Sequence, residues 1–259
     1  ISGIVNVSGR LGRTALQQGV TTMADCIVHR GPDDSGAWVS DDGFCALSHR
    51  RLSIIDTSAA GRQPMMSVDG RAVITFNGEL YNYSELKPEL ERRGRLFQTR
   101  TDTEVLIETV REFGDDAYLR IDGMYAFGLY DIESKQLTLG RDPFGEKPLY
   151  YTYQNGYFAF ASEIHCLTTL PGFDATLDDE AIAQFFIFQY IPSPRTIYRS
   201  VHKLPPGYFL RLKPNGSFEV KQYFRFEPAT EPGAPRPIDD LADELEDILI
   251  RSTRRRLMS

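Results

Sequence analysis

The chain lacks the features that would tie it to a membrane, a zinc site or a nucleic acid. No apolar run approaches the length of a bilayer span, and Ile1-Ser2-Gly3-Ile4-Val5 has neither the basic region nor the long apolar segment of a secretory leader. Only three cysteines occur among 259 residues, Cys26, Cys45 and Cys166, with no CxxC spacing. That set argues against a disulfide framework and a structural zinc, and points to the cytoplasm. His29, His49, His165 and His202 have no metal-ligand spacing either. Basic residues are not in excess: 29 Lys and Arg against 36 Asp and Glu leave a net charge of -7, with the signs interspersed. This disfavours nucleic acid and anionic membranes as partners and leaves neutral or zwitterionic small-molecule chemistry. Internal repeats, low-complexity tracts and a phosphate-binding glycine loop are also missing.

What is present is an ordinary globular composition, 41% hydrophobic and 25% charged, enough for one large domain or one domain and part of another. A β-prone opening over 1–7 suggests a terminus tied into a sheet. A helix is expected over 14–28, ending before the turn cluster His29-Arg30-Gly31-Pro32-Asp33-Asp34-Ser35-Gly36. Strands then follow at 36–40, 44–55 and 72–76. Thr101-Asp102-Thr103-Glu104 matches a capping box, with Val105, Leu106, Val110 and Phe113 on one helical face and Gly114 as the stop. Strands at 124–130, 136–140, 149–153 and 157–161 are joined by tight turns and so must be antiparallel, since a parallel crossover needs about a dozen residues. A helix over 177–188 and a hairpin of 208–212 with 217–223 complete an α+β pattern. The stretch 227–238 carries four prolines at its core, between Glu227 and Pro237, and reads as a linker. After it, 239–259 reads as the first helix of a second domain, with Leu241, Leu245, Ile248 and Leu249 on one side and Arg254-Arg255-Arg256 near its end.

One stretch carries the chemistry. In Val73-Ile74-Thr75-Phe76-Asn77-Gly78-Glu79-Leu80-Tyr81-Asn82 an apolar strand runs into Asn-Gly, the usual hairpin turn, yet a helical pattern over 83–94 follows instead of a second strand. Asn77-Gly78 is therefore expected to end the strand. An amide side chain and a glycine N–H exposed together there can be aimed at a developing oxyanion, although most Asn-Gly pairs are plain turns.

Further stretches fall in a recognisable order: His29 to Gly36, Ser48-His49-Arg50-Arg51-Leu52-Ser53-Ile54-Ile55-Asp56, Phe76 to Asn82, Arg100 to Glu104, Arg141-Asp142-Pro143-Phe144-Gly145-Glu146-Lys147-Pro148-Leu149-Tyr150 and Ala161-Ser162-Glu163. Over about residues 1–225 they resemble the glutaminase domain of glutamine-hydrolysing asparagine synthetases, a class II, N-terminal nucleophile family. Class II glutaminases of purine and amino-sugar synthesis, with an Arg-Trp-Ala-Thr-His type of sequence at 48–56, are the less similar branch. The resemblance implies an αββα four-layer sandwich of two mainly antiparallel sheets, with 1–226 as the glutaminase domain. It implies a thioester route in which an N-terminal cysteine attacks the glutamine amide and its own α-amine is the base. Asn77 and Gly78 then match the oxyanion hole. Arg51 matches the arginine that grips the glutamine α-carboxylate, backbone carbonyls near Leu52 and Ile54 line the pocket, and Glu79 and Asp102 hold the α-ammonium. The stretch from Arg141 to Tyr150 looks like a structural brace. No cofactor is implied in this domain. ATP and Mg2+ belong to a C-terminal synthetase domain of the same protein, which would use the ammonia to form an amide; a homodimer is compatible, and the sequence does not set the oligomeric state.

The departure from the family is at the amino end. Where the family has Met-Cys-Gly-Ile, this chain reads Ile1-Ser2-Gly3-Ile4, so Ser2 stands at the expected nucleophile position. A hydroxyl is far harder to ionise than a thiol, and a preceding Ile1 would block the α-amine. Three explanations stay open: an engineered replacement, favoured by the retained pocket ligands; a glutaminase-dead scaffold as in β-lactam synthetase-like relatives; or a natural, weakly active serine. A non-catalytic module that binds glutamine or docks the synthetase domain is the alternative of a different class.

Overall fold

The computed structural model describes residues 1–52, 61–228 and 236–257. The elements run in the order β1 Ser2–Val5, α1 Arg13–Asp25, β2 Asp34–Val39, β3 Cys45–Arg51, β4 Met65–Met66, β5 Ala72–Leu80, α2 Tyr83–Arg92 and α3 Asp102–Phe113. They continue with α4 Ala117–Arg120, β6 Gly123–Asp131, β7 Gln136–Arg141, β8 Tyr150–Gln154, β9 Tyr157–Ala161, α5 Ile164–Thr168, α6 Asp179–Phe188, β10 Val201–Lys203, β11 Tyr208–Leu212, β12 Phe218–Gln222 and α7 Ile238–Arg256. The twelve strands form two six-stranded sheets, ordered β10-β8-β9-β1-β3-β2 and β12-β11-β7-β6-β5-β4, and every neighbouring pair in both is antiparallel.

Strand alternation builds the layers. Ile1 and Val5 of the first sheet, with Leu47, Phe158 and Phe160, face Val73, Ala126, Tyr130 and Leu139 of the second across an apolar core. The opposite face of the first sheet, with Ile4, Ala46 and Ala159, buries Leu16, Val20 and Met23 of α1 and Cys166 and Leu167 of α5. The opposite face of the second, with Ile74, Phe76 and Phe127, buries Leu106 and Ile107 of α3 and Tyr118 of α4. Helix, sheet, sheet, helix is the expected αββα sandwich.

Three local expectations are corrected. β5 does not end at Asn77-Gly78 but runs on to Leu80, because Asn77, Gly78, Glu79 and Leu80 pair with Ala126, Tyr125, Met124 and Gly123 of β6. The glycine serves close approach rather than a turn: a Cβ on Gly78 would stand 2.1 Å from the Met124 carbonyl oxygen. β3 ends at Arg51 instead of extending to residue 55, and residues 53–60 lie outside the described residues. Within the capping box, Thr101 Oγ1 accepts the Glu104 N–H as expected, but Glu104 spends its carboxylate on the N–H groups of Gln98 and Thr99. Gly114, at φ 56, stops α3 as read.

Candidate active site

A cavity of about 360 Å3 opens at one end of the space between the sheets, room for one free amino acid. Both sheets contribute alternate residues to it. β3 turns His49 and Arg51 inward, and β5 turns Asn77 and Glu79 inward. Between these rows Thr75 Oγ1 donates to the Ser48 carbonyl at 3.0 Å and ties the two sheets together at the pocket floor. His49 is buried there, and burial holds its imidazole well below the usual range, hence neutral. Leu52 lines the mouth, more than half exposed, while Ile54 lies outside the described residues.

The N–H groups of β5 on the side away from β6 have separate fates. Phe76 donates to Gln63 Oε1 at 2.6 Å and Leu80 donates to Asp102 Oδ2 at 3.0 Å. Gly78, between them, faces Tyr125, whose N–H and carbonyl are both turned to Asp142 rather than to β5. The Gly78 N–H therefore has no ladder partner among the described residues. Beside it, Asn77 Nδ2 is buried with no hydrogen-bond partner among the described residues. Two donors with no partner among the described residues, side by side in a half-buried cavity wall, are costly unless something else fills them.

Asp102 opens α3 next to the Thr101 cap and is 6% exposed. Burial raises its carboxyl to about 6, against the hydrogen bonds from Leu80 and Thr103, and the neighbouring charge of Glu79 adds to the rise. An acid held this far above its ordinary range is poised to gain from an incoming ammonium. Glu79 lines the same cavity, and no described residue takes its carboxylate. Opposite these acids stands Arg51, a guanidinium suited to a carboxylate.

Ser2 is not among the residues that line the cavity, although its neighbour Ile1 is. Ser48 Oγ donates to the Val20 carbonyl at 2.9 Å, so Ser2 Oγ, 2.7 Å from Ser48 Oγ, is the donor of that pair. Its hydroxyl is spent on the α1 side of the sheet. Ile1, just ahead of β1, lines the cavity, and its nitrogen donates to Ser162 Oγ at 3.0 Å. Arg30, Gln63, His49 and Lys147 also line it and were not singled out by the sequence. Only His49 had a legible signal, its i, i+2 spacing to Arg51 on one strand. Arg30 is held at the rim by Glu163 at 3.1 Å.

Comparison with known proteins agrees with this geometry. Asparagine synthetase [glutamine-hydrolyzing] 1 of Bacillus subtilis is 39% identical over 99% of the chain and 40% of its own length, and asparagine synthetase [glutamine-hydrolyzing] 3 of the same organism is 32% identical over 82% and 34%. The chain thus spans less than half the length of the curated relatives it matches. Among solved structures, an allosteric regulatory enzyme of purine biosynthesis superposes with a TM-score of 0.63 at 20% identity, over 86% of this chain and 48% of that one. Glutamine phosphoribosylpyrophosphate amidotransferase of B. subtilis gives 0.60 at 19%, over 86% and 49%. Those two likenesses establish the shared fold. The family model described as glutamine amidotransferase domain matches residues 1–224, and the chain belongs to that family.

Proposed function

We propose that the cavity binds L-glutamine and that the domain hydrolyses its side-chain amide, handing ammonia to a C-terminal synthetase domain of the same protein for ATP- and Mg2+-dependent amide formation. The observation that carries this reading is the pair of unspent donors, Asn77 Nδ2 and the Gly78 N–H, in a wall flanked by Arg51 on one side and Glu79 and Asp102 on the other. Arg51 would take the α-carboxylate bidentately and the two acids the α-ammonium. The γ-carbonyl oxygen then lies against the two donors, which stabilise the charge it gains on attack.

Ser2 keeps the position the family likeness gives the nucleophile, and as a serine behind Ile1, with its hydroxyl bonded to Ser48, it would leave this chain with little or no turnover. Strand alternation puts Ile1 on the cavity side and Ser2 on the α1 side. Helix α7 supports the second-domain part of the reading: none of its residues is buried, and Leu241, Leu245, Ile248 and Leu249 leave an apolar stripe in solvent.

Titration calorimetry of this chain with L-glutamine tests the pocket itself. One-to-one binding is expected, abolished by Arg51→Met and kept in Ser2→Ala. No binding by the folded parent chain would overturn the reading and leave a docking scaffold.

A further inference from the structure

The segment from Arg141 to Pro148 is built around two charged groups that it spends on its own backbone. Asp142 is fully buried, and its carboxylate accepts the N–H groups of Tyr125, Phe144, Glu146 and Lys147 at 3.3, 3.1, 2.9 and 3.0 Å. Arg141 donates to the carbonyls of Lys147, Gly145 and Leu204 at 2.8, 3.0 and 2.6 Å. Desolvating ions to fix a loop is expensive compared with apolar packing, and a brace alone does not need it. What the loop delivers is Lys147. Its N–H and its carbonyl are both tied down, and its side chain lines the cavity. Among the described residues, no acid or acceptor takes its ammonium.

The loop also decides which end of the cavity receives that charge. Asp142 hangs from Tyr125, and Tyr125 is the register partner of Gly78. Lys147 therefore comes in from the wall of the two unspent donors, while Arg51 belongs to the opposite sheet. We infer that Lys147 reads charge at the far end of the bound amino acid, pairing with the γ-carboxylate of glutamate and so holding the acid product more firmly than the neutral amide. This rests on the glutamine reading above, which sets the α-carboxylate on Arg51. An ammonium gains a full charge–charge attraction from a carboxylate and only a charge–dipole one from an amide.

Calorimetric dissociation constants of L-glutamate and L-glutamine, measured on this chain and on Lys147→Met and Lys147→Arg, test the inference. The affinity of glutamate relative to glutamine should fall about tenfold in Lys147→Met and hold within about twofold in Lys147→Arg. In the parent chain, added salt should weaken glutamate more than glutamine. If glutamine binds and the ratio is the same in all three proteins, Lys147 does not read the γ end and the inference falls while the glutamine pocket stands. If Lys147→Arg loses the ratio as Lys147→Met does, the effect is on loop structure and the inference falls as well. If neither amino acid binds the folded parent, both readings fall together.

Discussion

Asp102 is kept in an environment that suits its partner and not itself. Its carboxyl, raised to about 6 by burial, ionises in the unfolded chain well before it ionises in the fold. As pH rises from about 4 to 6 the unfolded state releases the proton first, so the empty protein loses stability across that window and stays lower above it. Asp102→Asn should recover this loss, unfolding about 3 kcal/mol less readily than the parent at pH 7, with the gap closing toward pH 4. Denaturant melts at the two pH values read it directly. The same variant should lose glutamine, and the parent's own affinity for glutamine should fall as pH drops below about 6, where Asp102 takes up its proton. Equal stability of the two proteins at pH 7 would show that Asp102 is not held in this way. The sequence placed Asp102 at a capping box and the family likeness placed it at the ligand, but neither could show its burial. That depends on Leu80 and the end of β5 closing over it.

At the scale of elements, β5 is where reading and structure diverge most. Local preference makes Asn77-Gly78 a turn, and pairing with β6 overrides it along the whole strand. Glycine is required because β5 and β6 approach too closely for any side chain: a Cβ would meet Met124 O at 2.1 Å and Tyr125 Cα at 2.8 Å. Gly78→Ala should therefore cost about 2 kcal/mol or more in thermal unfolding, by forcing the strands apart at the donor wall. An unchanged melting temperature would mean that the strands yield freely there. Elements fixed by short-range signals were legible: the Thr101 cap, the Gly114 stop, and the tight turn that makes β8 and β9 antiparallel. β4, β10, α4 and α5 were not, because they are two to five residues long and exist through their neighbours.

For the whole molecule, layer order was legible through the family likeness, which also named Arg51, Leu52, Asn77, Gly78, Glu79 and Asp102 of the cavity lining, whereas the facing of β1 was not. A shift of one residue exchanges the two faces of a strand, and the sequence Ile1-Ser2-Gly3-Ile4 invites either register. The structure decides by contacts. Gly3 lies against Phe160 and Leu47 between the sheets, where a Cβ would come within 2.4 Å, so Ile1 shares that side and Ser2 faces α1. The measurement that tests the account most directly is glutamate release from L-glutamine by two proteins side by side. One is this chain; the other is Ser2→Cys begun at residue 2. The account predicts turnover by the second, lowered about 100-fold or more by Asn77→Ala, and little or none by the first. No turnover by the folded Ser2→Cys protein would contradict it and leave the domain a docking scaffold.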